Sequence, residues 1–146
     1  MPNYFSVAPE SGADALSVQV NSAGAVGARY DYLGRERCGT TTAPTVVLGT
    51  GAGTGASVTS VTGTDCDGNV TIQTGTSPQA GQIVFTLTFS APYHSAPFCQ
   101  LQPRDAGASA LFYATTTTTT MVVKSVNALT ASTAVSLDFE TCGGPS

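Results

Sequence analysis

Several residue groups in this 146-residue chain have the types and spacing that chemistry requires. Gly51, Gly53 and Ala56 follow the short apolar run 45–48 and fit G-x-G-x-x-A, a spacing that lets backbone N–H groups approach a pyrophosphate. Asp65, Asp67 and Asn69 begin like a calcium loop, in which alternate side chains ring a hard cation. His94 stands beside Ser95, a base next to a hydroxyl. Asp138 and Glu140 would lie roughly 7 Å apart on one strand face, a separation that carboxylate pairs use to hydrolyse glycosidic bonds.

Each pattern lacks a part that its chemistry needs. A dinucleotide turn must open a helix, but ASVTSVTG follows, rich in β-branched residues, and no lysine completes a P-loop. In the calcium pattern the glycine falls at the fourth position (Gly68) and the twelfth is Thr76, so Asp67-Gly68 reads as a hairpin turn. A serine adjacent in sequence to a histidine is not a triad, whose members converge from separate elements. Asp138 and Glu140 belong to the outward face of a terminal strand, and the chain has no tryptophan to stack a sugar. Asn69-Val70-Thr71 is a glycosylation sequon, which matters only on a secretory route; the start, MPNYFSVAPESG, has neither the charged nor the apolar region of a signal peptide. No catalytic, cofactor-binding or metal-ligating residue is expected. The plain reading of the glycines is a flexible hinge.

The elements that would carry these residues are strands. In QIVFTLTFS, Ile83, Phe85, Leu87 and Phe89 alternate with polar positions, as do Val135, Leu137 and Phe139 in TAVSLDFET. Val70 with Ile72, and Leu111 with Tyr113, mark two more. Turn chemistry at Asp67-Gly68, Ser77-Pro78, Ala91-Pro92, Ala96-Pro97 and Gly107 separates the runs. About seven strands result, near 56–62, 69–75, 82–90, 97–102, 110–116, 119–126 and 133–140, which predicts an all-β, antiparallel β-sandwich. Thr115–Thr120 suit strands but give weak register.

Composition bounds the function. Net charge is −4 and Lys124 is the only lysine, which leaves no basic footprint for nucleic acid. No stretch approaches the roughly 18 apolar residues of a membrane span. Residues 1–48 hold short alternating pieces without a core, read as an extended arm or β-stem, and 49–146 as the sandwich. Within the arm, RYDYLGRER (29–37) carries five of the chain's 14 charges. Arg29, Tyr30, Tyr32, Arg35 and Arg37 therefore make the best docking surface, since arginine and tyrosine anchor interfaces. Cys38, Cys66, Cys99 and Cys142 are too widely separated for C-x-x-C pairs; they form two disulfides or remain four thiols.

Residues 44–141 resemble a β-sandwich module of tailed-bacteriophage virion proteins, found in head decoration proteins and at the C-terminal end of tail fibres. The resemblance rests on the glycine-rich entry PTVVLGTGAGTGASVT, the stretch GTDCDGNVTIQTGTSP, the SAP strand start and the threonine run. ALSVQVNSAGAVGA is similar to the intertwined β-stems that precede such modules in trimeric fibres. It implies a homotrimeric, non-enzymatic virion protein without cofactors, assembled in the host cytoplasm and displayed on the particle exterior. A capsid decoration (cement) protein bound to the major capsid protein is the first expectation. The alternative is a short tail-fibre or spike tip, attached to tail proteins and binding a host receptor. The cysteines depart from the module and suggest an added staple, with Cys66–Cys99 and Cys38–Cys142 the expected bonds.

Overall fold

The computed structural model describes the backbone of residues 6–8, 14–19, 26–31 and 36–37, and residues 42–105 and 112–142 in full. The chain divides into two units, 1–41 and 42–146. The N-terminal unit is an antiparallel sheet of four strands in sequence order: β1 (Ser6–Ala8), β2 (Asp14–Gln19), β3 (Val26–Asp31) and β4 (Glu36–Arg37).

The second unit is an antiparallel β-sandwich. Its strands are β5 (Thr45–Leu48), β6 (Ser57–Gly63), β7 (Asp67–Gln73), β8 (Ile83–Thr88), β9 (Phe98–Pro103), β10 (Phe112–Thr116), β11 (Thr120–Ser125) and β12 (Ala134–Cys142). One sheet has the order β10-β11-β8-β5 and the other β6-β7-β12-β9. All seven expected strands are present, joined by an eighth, β5, which pairs with β8. The sandwich thus begins before the expected boundary at residue 49, because Val46 and Leu48 pack against its core.

Alternation in sequence becomes burial in space. Val70 and Ile72 from β7 and Val135, Leu137 and Phe139 from β12 meet Phe85, Leu87, Met121 and Val123 from the facing sheet. Each fully buried side chain of this kind contributes about 1.5–3 kcal/mol. β8 and β10 depart from the simple pattern, as does β6, whose register shifts between Val58 and Ser60. In β8 the register shifts opposite Val84, so Val84 and Phe85 are both buried while Ile83 is only half-buried. A bulge breaks the period-two rule there. In β10, Phe112 and Ala114 face the core and Tyr113 is exposed, the reverse of the expected face; Leu111 lies outside the described residues.

The glycine loop is not a hinge. Between β5 and β6 the chain crosses from one sheet to the other through a 3-10 turn, Thr50–Ala52, in which Gly51 and Ala52 are buried. Ala52 accepts a backbone bond from Gly75, and Thr54 exchanges two with Thr76. Gly49 and Gly51 lie against the carbonyl oxygens of Ile83 and Gln82, leaving no room for a side chain.

The hairpin turn also lies elsewhere than expected. Asp67 and Gly68 are already in β7, with Gly68 opposite Gly63, and the turn is Thr64, Asp65 and Cys66. Thr64 closes it by donating its N–H to the Asp67 carbonyl and its hydroxyl to the Asp67 carboxylate. Gly68 is required beneath the Phe139 ring, where a Cβ would strike both that ring and the Thr62 carbonyl. The threonine run likewise divides. Thr115 and Thr116 end β10, Thr120 starts β11, and the Thr117 hydroxyl accepts from the N–H groups of Thr119 and Thr120 in the turn between them.

Candidate functional site

Asp65, the first residue of the calcium-like pattern, has a structural task. It is 2% exposed. One carboxylate oxygen accepts the Ser90 N–H at 2.7 Å; the other accepts the Ser90 hydroxyl at 2.7 Å and the Ala91 N–H at 3.0 Å. Its carbonyl accepts from the Thr141 and Tyr93 hydroxyls. Burial holds the Tyr93 phenol above its ordinary pKa, and its ring meets Phe89 edge-on with centroids 4.9 Å apart. This network fixes the loop after β8, where His94 is exposed. Asp65 thus points away from Asp67 and Asn69, and the three do not converge on a cation. Among the described residues no cluster of His, Cys, Asp and Glu suits a metal.

The residues with chemistry to spare collect on the outer face of the sheet β6-β7-β12-β9. There a shallow groove of about 770 Å³ is lined by Asp67, Asn69, Gln100, Gln102, Arg104, Asp138 and Glu140, among others. Strand register builds it in rows. Asp138 lies between Asn69 and Gln102, and Glu140 between Asp67 and Gln100. The alternation that buries Leu137 and Phe139 sends Asp138 and Glu140 outward.

One row is hydrogen-bonded across the strands and the other is not. The Asn69 amide donates to Asp138 at 2.8 Å and to the Ser136 hydroxyl at 2.9 Å, and the Thr71 hydroxyl donates to Asn69. Arg104 reaches Asp138 at 3.5 Å, a solvent-exposed pair of small energetic weight. Glu140, by contrast, has no hydrogen-bond or ion-pair partner among the described residues, and Asp67 is held only by its own turn. Two carboxylates directly opposite each other repel. Sequence reading paired Asp138 with Glu140 along one strand. The cross-strand pair Asp67 and Glu140 needed the register, which residue spacing does not reveal.

The expected interface residues lie on the N-terminal sheet. Arg29 is opposite Arg37 and Tyr30 opposite Glu36 across β3 and β4, while Tyr32 and Arg35 lie outside the described residues. RYDYLGRER thus contributes to both strands of one antiparallel pair.

The cysteine assignments change. Cys66 is disulfide-bonded, with a partner that is not among the described residues. Cys99 and Cys142 are free thiols, so neither the Cys66–Cys99 nor the Cys38–Cys142 bond is present; Cys38 itself lies outside the described residues. Cys99 is in register with Thr141 and packs against the core, whereas Cys142, one residue on, is exposed. Burial raises the Cys99 pKa, so less of it is thiolate at neutral pH. Iodoacetamide should therefore label Cys142 at least about tenfold faster than Cys99 in the native protein. Peptide mass spectrometry over a labelling time course measures both rates, and equal rates would contradict the burial of Cys99.

Comparison with protein-family models, with curated proteins and with solved structures returns no match to this chain.

Proposed function

We propose that this chain is a structural protein of a tailed-bacteriophage virion, a decoration protein on the head exterior that acts as a homotrimer and performs no catalysis. The observation that supports the reading best is the division of labour between the two units. The sandwich has a core of its own, and the separate N-terminal unit, residues 1–41, holds three of the chain's five cationic residues. One unit suits projection from a surface; the other suits attachment to it. No helix among the described residues is long and apolar enough to cross a membrane.

Arg35 and Arg37 changed together to alanine should weaken binding to heads that lack the chain, while the sandwich melts as before. The loss would reach about 2–4 kcal/mol if the guanidinium groups are buried on binding. Co-sedimentation with purified heads measures it, and unchanged occupancy would count against the reading. A tail-fibre tip is the second reading, favoured by the loop 91–97, which is held in shape by Asp65 yet exposes Pro92, His94 and Ala96. In that case substitutions in the loop would abolish host adsorption and leave head occupancy intact.

A further inference from the structure

We infer that the groove on the outer face of β6-β7-β12-β9 binds a short neutral glycan, with Phe98 as the ring on which one sugar stacks. This goes beyond the virion reading and rests on no part of it.

Phe98 carries the inference. It opens β9 in register with Cys142, one row beyond Glu140 and Gln100, and is 70% exposed. Alternation puts it on the same face as Gln100 and Gln102, about 7 Å from Gln100 along the strand. A wet face calls for a polar residue at that position, and β9 places a phenyl ring there instead. The ring stands just past the end of the groove of about 770 Å³, whose size suits a small ligand. A flat apolar ring beside ranked polar groups complements a pyranose, which has an apolar C–H face and a rim of hydroxyls in fixed directions.

The polar groups match that rim. Gln100 and Gln102 are exposed, and neither side-chain amide has a hydrogen-bond partner among the described residues. Each offers both donors and an acceptor, as a pair of neighbouring hydroxyls requires. Asp67 and Glu140 add acceptors in the row of Gln100. In the next row Asp138 is held by Asn69 and Arg104, so its remaining lone pairs are aimed before any ligand arrives. All these groups stand on strands of one sheet, and binding a sugar there would order little of the chain.

Charge sets the class of glycan. Three carboxylates and one guanidinium line the groove, and the guanidinium already pairs with Asp138. A sialylated, sulfated or phosphorylated glycan would be repelled, whereas a neutral one would not. A peptide is the poorer occupant. Extended peptides are selected by pockets for alternate side chains, and amides and carboxylates line this groove instead.

The test applies the full chain to a printed array of neutral oligosaccharides and their sialylated or sulfated counterparts, where dense display makes weak binding readable. A set of neutral glycans should retain the chain, and their anionic counterparts should not. Phe98→Ala should lower retention at least about tenfold. Gln100→Ala combined with Gln102→Ala should do the same. Both variants should melt like the unaltered chain, since the side chains they remove are exposed. If Phe98→Ala melts lower, Phe98→Tyr serves beside it; the tyrosine keeps the ring and must keep binding. Retention by no neutral glycan, equal retention by anionic ones, or binding indifferent to the variants would overturn the inference. Capture of a trilysine peptide in place of any neutral glycan would make the groove a peptide site and overturn it equally.

Discussion

Replacing Asp65 by alanine is expected to cost about 4 kcal/mol of stability, a large part of what a domain of this size possesses. The carboxylate receives three hydrogen bonds from Ser90 and Ala91, at 2.7–3.0 Å, in a site that is 2% exposed. Alanine would remove the acceptors and leave two backbone N–H groups and a hydroxyl short of partners. Each such loss costs about 1–3 kcal/mol, and the losses do not add fully because the three donors share one carboxylate. Asp65→Asn keeps the shape but turns one oxygen into a donor facing other donors, so about half the loss should remain. Urea unfolding followed by circular dichroism measures both. A loss below about 1 kcal/mol for the alanine variant would mean that the loop after β8 is not held by this residue.

The second large effect concerns the glycine loop. Gly49→Ala should destabilise the sandwich by about 3 kcal/mol, because the new Cβ would meet the Ile83 carbonyl and cannot move away from backbone. Gly51→Ala should behave similarly, its Cβ falling 2.7 Å from the Gln82 carbonyl oxygen. Gly55 provides the control: it has φ 75° but nothing within 4 Å of a built Cβ. Its substitution should cost only about 1 kcal/mol of backbone strain. A flexible hinge would tolerate alanine at all three positions. Thermal melts of the three variants separate the cases, and equal small shifts would restore the hinge.

The two expectations identify what sequence reveals and what it hides. Strands with one wet and one dry face, such as Val135–Phe139 in β12, announce themselves by alternation. So does the sandwich they build. β5 was harder to place because a four-residue strand followed by glycines looks the same whether it enters a linker or crosses between sheets. Only its pairing with β8 decides. Asp67-Gly68 has the chemistry of a tight turn, yet Gly68 is needed in the strand for the Phe139 ring, a contact 71 positions distant that no local rule encodes. Asp65 has the same history: its partners at Ser90 and Ala91 are remote in sequence, so spacing alone gives no sign that it anchors the loop after β8. Opposed pairs such as Asp67 with Glu140 are a property of register, and register is fixed by bulges and turns that spacing alone does not locate.

The proposed attachment of this chain to a phage head is tested most directly by cryo-electron microscopy of the particle that carries it. The account predicts density for the sandwich on the outside of the capsid in groups of three. Density for the chain at the tail tip, or heads whose exterior lacks it, would contradict the decoration role.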